Sequence, residues 1–115
     1  MDKIKIGNYW ILGKEINGIT LFPFVYLRKS YVDMLASWNL DSLINHESIH
    51  LKQQAELGIV FFYVWYFLEF CIRVVLIGNT DAAYRNICFE KEAYDNERDL
   101  EYLSKRKFWA FLKYI

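Results

Sequence analysis

Apolar and polar residues alternate along the chain in distinct textures. Residues 3–29, "KIKIGNYWILGKEINGITLFPFVYLRK", are β-branched and aromatic, with punctuation at Gly7-Asn8, Gly13 and Asn17-Gly18. Short runs of this kind between glycine-containing turns predict two or three short antiparallel strands, a β-hairpin region. Pro23, within "LFPFVYL", cannot donate to a ladder and assigns its strand to an edge or a bulge. Residues 30–40, "SYVDMLASWNL", hold no sustained period and predict a loop with, at most, a helical turn. Helical texture begins at Asp41-Ser42, good capping residues ahead of "LINHESIHLKQQAEL". A second, apolar stretch follows, "GIVFFYVWYFLEFCIRVVLIG", and Gly78-Asn79-Thr80-Asp81 supplies stop and start signals. A third helix is predicted over "AAYRNICFEKEAYDNERDLEYL", and the chain closes on "KRKFWAFLKYI".

The pattern describes one α+β domain over residues 1–115. Strands occupy 1–29, a core of three to four helices occupies 41–104, and 105–115 form a basic-aromatic tail. A length of 115 residues suits a single domain with a real core. Fourteen Lys and Arg balance fourteen Asp and Glu, so no charge excess points to nucleic acid. Aromatic residues reach 19%, a content that belongs in a core, an interface or a bilayer boundary. Cys71 and Cys88 stand in no ligand-like spacing and read as two buried thiols in a reducing compartment. The opening "MDKIKIGNYWIL" has neither a long apolar h-region nor a small-residue cleavage site, which argues against a secretory signal.

Chemistry concentrates in "NHESIH", which holds both histidines of the chain. On a helix, His46 and His50 lie one turn apart on one face, so both imidazoles can reach one ion. Glu47 stands beside them, where it can act as the base toward a water at an open fourth position. This is the HExxH arrangement of zinc peptidases. The plainer alternative is a pair of histidines on a charged helix surface. A tetrahedral site needs a third protein ligand, and with no further histidine a carboxylate must serve. Glu90 and Glu92, in "FEKEAYDNE", are the candidates. Glu90 shares a helix face with Ala83, Ile87, Ala93 and Tyr94, the side expected to dock inward. Glu92 shares its face with Asp95, Asn96 and Asp99, a side expected to be solvated. The face argument favours Glu90 and keeps Glu92 as the alternative ligand.

The segments "HESIHLKQQ" and "FEKEAY" together resemble the gluzincin group of zinc peptidases, in which a glutamate from a later helix completes an HExxH site. Within that group they are most similar to families whose third-ligand motif reads E-x-x-A-D, including membrane zinc proteases of the CAAX-prenyl-protease type. The resemblance implies a zincin-like helical core, zinc ligands at His46, His50 and Glu90, and Glu47 as general base. It covers residues 46–54 and 89–94. Where those families carry an aspartate after the alanine, as a partner of a ligand histidine, this chain has Tyr94. That residue is either a packed tyrosine or a hydroxyl aimed at a developing oxyanion.

Helix lengths constrain how Glu90 reaches the histidines. One straight helix over 42–78 would carry Gly78 about 42 Å beyond His50, and a return of about 18 Å could not close the site. A reversal near Gly58 closes it and implies three helices running up, down and up. The middle helix is uncharged from Leu57 to Leu68, and Glu69 and Arg73 are spaced to pair. Its length, about 31 Å, is enough to cross a hydrocarbon core. The tail mixes Lys105, Arg106, Lys107 and Lys113 with Phe108, Trp109, Phe111 and Tyr114, as an interfacial helix does. A docked C-terminal helix with a solvated basic face has the same composition. Two functions follow as expectations. One is a small membrane-associated zinc metallopeptidase acting on a peptide or protein from the cytoplasmic side. The other is a non-catalytic membrane or complex subunit with a structural or vestigial metal site. A soluble cytoplasmic protein is the alternative location.

Overall fold

A computed structural model describes residues 3–9 and 16–115. The predicted turn at Gly13 lies outside these residues. Three strands, β1 (Ile4–Gly7), β2 (Gly18–Leu21) and β3 (Phe24–Arg28), form a sheet in the order β1-β3-β2. β2 and β3 pair antiparallel, with Ile19 opposite Tyr26, but β1 runs parallel to β3, so the sheet is mixed rather than wholly antiparallel. Pro23 sits in the tight turn between β2 and β3, after a cis peptide bond. It therefore leaves β3 free to be the central strand, and β2 takes the edge. A proline outside the ladder removes no donor from it.

Among the described residues six helices follow: α1 (Lys29–Met34), α2 (Ser37–Leu57), α3 (Ile59–Ile77), α4 (Thr80–Arg85), α5 (Cys88–Asn96) and α6 (Tyr102–Lys105). A final 3₁₀ turn spans Ala110–Tyr114. The segment expected to be a loop is thus largely helical, and α2 begins at Ser37 rather than at Asp41-Ser42. Ser42 is buried inside the helix, where its hydroxyl donates to the Glu97 carbonyl instead of capping. Tertiary packing has extended the helix past its local start signal. The predicted third helix is broken at Asn86-Ile87, which separates α4 from α5.

The reversal expected near Gly58 is present. Gly58 ends α2 and opens α3 with φ of 84° and ψ of 147°, a conformation that L side chains strongly disfavour. Gly58→Ala is expected to lower stability by roughly 1–3 kcal/mol, read as a fall in the thermal midpoint. α2, α3 and α5 enclose a core of Phe62, Ile87, Cys88, Phe89 and Phe111. Phe89 packs at a tilt against Phe62 and Phe111, with centroids 4.5 and 5.0 Å away. The tail is docked through Ala110 and Phe111, while Phe108, Leu112 and Ile115 remain exposed. Cys88 is buried, but Cys71 is exposed on α3, against the expectation of two buried thiols. One helix, Ile59–Ile77, is long and apolar enough by length and composition to cross a membrane, with a mean hydropathy of 2.0.

Candidate metal centre

α2 carries His46 and His50 on its inner face, and both are buried. Glu90, in the first turn of α5, meets them. Its Oε1 lies 3.0 Å from His46 Nε2 and 3.2 Å from His50 Nε2. The three ligand atoms all fall within 4.8 Å of one another. A tetrahedral ion with bonds of about 2.0–2.1 Å separates its ligands by about 3.3 Å, close to these spacings. His46, Glu47, His50 and distal Glu90 together match an HExxH-type zinc-binding site, consistent with a gluzincin-like metallopeptidase.

The far side of each ring is also held. His46 Nδ1 donates to Glu97 Oε1 at 2.7 Å, and His50 Nδ1 donates to Gln53 Oε1 at 2.7 Å. A neutral imidazole has one N–H, so with Nδ1 donating, Nε2 presents a lone pair toward Glu90. Two lone pairs and a carboxylate oxygen facing one another repel unless protons or a cation lie between them. The donor set, two imidazole nitrogens and a carboxylate oxygen, suits zinc. The Glu90 carboxylate is fixed from behind by Tyr66, whose hydroxyl donates to Oε2 at 2.6 Å.

Without metal the charges must resolve otherwise. Burial alone would lower the His46 pKa, but Glu90 and Glu97 outweigh it and push it up to about 10. Burial would raise Glu90, yet His50 and His46 hold it well below the usual carboxylate range. Glu47 is raised by burial, only partly offset by His50 and His46. A histidine raised from 6.5 to about 10 gives its full stabilisation below pH 6.5 and loses it as pH rises toward 10. The metal-free protein should therefore show a thermal midpoint that falls between pH 7 and 10. The zinc-loaded protein should lose that dependence, because the ring nitrogen no longer binds the proton.

Glu47 is buried with no metal-ligand role in this geometry. Its Oε2 is the one buried side-chain oxygen or nitrogen, among the described residues, without a hydrogen-bond partner. The residue lines a cleft of about 820 Å³ together with His46, His50, Glu90, Tyr84, Tyr94 and residues of β2. β2 passes directly over it: a Cβ on Gly18 would stand 3.5 Å from Glu47 Oε1. Thr20 Oγ1 donates to the Glu47 carbonyl, and Gln54 Nε2 and the Tyr63 hydroxyl donate to the Thr20 carbonyl. The Phe22 N–H returns a bond to Gln54 Oε1 at 2.7 Å. Strand and helix are thereby stapled together one turn beyond His50. Arg28 N–H donates to the Asn17 carbonyl, so alternate residues Asn17, Ile19 and Leu21 face β3. Backbone groups of Gly18 and Thr20 consequently lie along the outer edge, where Gln54 and Tyr63 already occupy the Thr20 carbonyl.

Glu92, the alternative ligand, is not on a solvated face. It is fully buried and is not one of the converging ligands His46, His50 and Glu90. Arg106 donates to it through Nε at 2.6 Å, Tyr102 donates at 2.7 Å, and Gln53 Nε2 donates at 2.9 Å. Arg106 also bridges to Glu56 at 2.7 Å. The tail supplied this partner, which is why the face pattern of one helix misassigned the residue. Tyr94 packs edge-on against His46, centroids 4.6 Å apart, and its hydroxyl donates to Tyr84 at 3.4 Å. Sequence reasoning missed Glu97, Tyr66 and Gln53. Glu97 lies seven residues after Glu90, two turns along the same face, a spacing that could have identified it. It supplies the carboxylate that the E-x-x-A-D motif would place at position 94. Asn45 Nδ2 locks this end of α5 by donating to the carbonyls of Asn96, Glu97 and Asp99.

Comparison with models of protein families, with curated proteins and with solved structures finds no match. The assignment of this centre stands on its geometry: a buried His-His-Glu set suited to hold a zinc ion, with a buried carboxylate beside it.

Proposed function

We propose that the protein is a small zinc-dependent peptidase that works at a membrane surface. One observation carries the catalytic reading: Glu47, whose Oε2 is buried and unpartnered, lines a cleft together with the three convergent ligands. A structural site has no use for a desolvated carboxylate oxygen left without a partner, since burying such an atom is costly. A general base does, because it must be free to accept a proton and held close to its task.

His46, His50 and Glu90 would hold the ion, with Glu97, Gln53 and Tyr66 fixing their orientation. Bound zinc would polarise the scissile carbonyl and acidify an attacking water. Glu47 Oε2 takes the proton of that water and delivers it to the departing amine nitrogen. Burial, which raises the Glu47 pKa, strengthens it as a base. The outer edge of β2 pairs with an extended substrate through the backbone groups of Gly18, the Thr20 carbonyl being held by Gln54 and Tyr63, and this pairing sets the peptide in register beside Glu47. The Tyr84 and Tyr94 hydroxyls share one hydrogen bond, which leaves one O–H free to donate to a developing oxyanion. The zinc-loaded protein should cleave members of a peptide library, with products identified by mass spectrometry. Failure to cleave any extended peptide, with zinc stoichiometrically bound, would count against the reading. The exposed apolar surface of α3 supports the membrane part of the proposal.

A further inference from the structure

α3 has two unlike faces. Phe61, Val64, Leu68, Cys71, Ile72 and Val75 recur at helical spacing on one of them, and the five apolar residues among them other than Cys71 are 51–83% exposed. No polar or charged side chain interrupts this stripe. The opposite face is protein-bound: Phe62 is buried, and Tyr63 and Tyr66 line the catalytic cleft. Both charges of the helix sit on that side. Glu69 pairs with Arg73 at 3.1 Å and accepts the Cys88 N–H.

A crossing helix would have to take its packed neighbours into the hydrocarbon with it. α2, packed on α3, exposes Asp41 and Lys52, and these cannot be carried into lipid cheaply. The stripe therefore suits burial from one side only. The tail extends it: Trp109 and Ile115 share a groove of about 780 Å³ with Phe61, Leu68 and Ile72, and the charges that also line it, Glu69, Arg73 and Glu56, are all ion-paired. Phe108 is exposed nearby in sequence, between Lys107 and Lys113. Residues 105–115 contain no acidic side chain. Lys105 is paired with Asp99, and Arg106 with Glu56 and Glu92. Lys107 and Lys113 are exposed and form no ion pair among the described residues. Cations and aromatic side chains bordering an apolar stripe complement an anionic lipid surface.

We infer that α3 and the C-terminal segment form a monotopic insertion surface, lying in the plane of one leaflet of an anionic bilayer. The cleft, on the opposite face of α3, then stands about one helix diameter, roughly 10–12 Å, above the lipid boundary. Resting on the peptidase proposal, this directs the enzyme to extended peptide segments that emerge beside a membrane.

The test uses the full zinc-loaded chain with vesicles of phosphatidylcholine and phosphatidylglycerol. Nitroxide labels are attached at Cys71 and, with Cys71→Ser, at Phe61→Cys, Val64→Cys, Leu68→Cys and Val75→Cys. Buried Cys88 stays unlabelled. Depths from oxygen and nickel-chelate collision rates should be shallow and nearly equal at all five positions. A depth that changes steadily by about 1.5 Å per residue from 61 to 75 would show a crossing helix and overturn the inference. A protein that ignores vesicles and runs as a dimer would mean that a second copy covers the stripe, which also overturns it. Lys107→Gln with Lys113→Gln should weaken binding to anionic vesicles about thirtyfold and leave neutral vesicles unaffected. Equal binding by this variant would remove the anionic partner. Repeating the depth series in Glu47→Gln separates membrane binding from catalysis, because lipid contact should persist whether or not peptides are cleaved.

Discussion

Glu47→Gln is expected to keep zinc at full stoichiometry while peptide turnover falls by a factor on the order of a hundred to ten thousand, the usual range for a general base. Glutamine matches the volume of glutamate and cannot accept the proton. The substitution removes a buried, unpartnered carboxylate oxygen, so it relieves an electrostatic cost rather than creating one. Thermal stability should stay level or rise slightly. A rise in stability with a loss of turnover is the signature of a group kept for chemistry and not for the fold. Turnover that survives with zinc bound would rule out Glu47 as the base, whatever the substrate. If the protein is a non-catalytic subunit, the substitution should leave partner binding and all other measured properties intact.

The second large effect is expected in metal content. Wild-type protein purified with zinc should carry one ion per chain, and His46→Ala or Glu90→Ala should carry essentially none after dialysis. Glu92→Ala should retain the ion but unfold more easily, by roughly 3–5 kcal/mol, because Arg106 would be left buried with one partner lost. The two glutamates, two residues apart, thus separate cleanly by readout: one costs metal and the other costs stability. Glu97→Ala should weaken zinc affinity about 10- to 100-fold without abolishing it, as loss of a ligand's hydrogen-bond partner does. Elemental analysis together with competition titration distinguishes all four variants. Retention of zinc by Glu90→Ala with loss in Glu92→Ala would transfer the third ligand to Glu92.

Sequence pattern carried the parts of the structure that depend on one element at a time. His46 and His50 share a face because a helix puts them there, and the need for a reversal near Gly58 follows from helix rise alone. The inward position of Glu90 follows from its small and apolar neighbours Ala83, Ile87 and Ala93, all fully buried. What the pattern missed depends on partners distant in sequence. Glu92 reads as solvated until Arg106, fourteen residues on, arrives to neutralise it. The parallel pairing of β1 with β3 is invisible to strand texture, because register and direction are decided by packing on α2 and α1. Ser42 looks like a cap until the Glu97 carbonyl is seen to claim its hydroxyl. Tyr94 leaves a gap in the motif, and Glu97 fills it from one turn further along.

The bonds from Asn45 to the carbonyls of Asn96, Glu97 and Asp99, at the end of α5, bear on how an ion comes and goes. His46 and His50 belong to α2 and Glu90 to α5, so the seam between these helices could have served as a route for exchange. Asn45 closes that seam at one end of α5, and Gln53, which donates to the Phe89 carbonyl and to Glu92, closes it toward the other. The remaining route is the cleft itself, past Glu47 and β2. Under the proposed activity, ion and peptide would share one passage: a chelator would have to enter where substrate lies, and an occupied cleft would retain its ion.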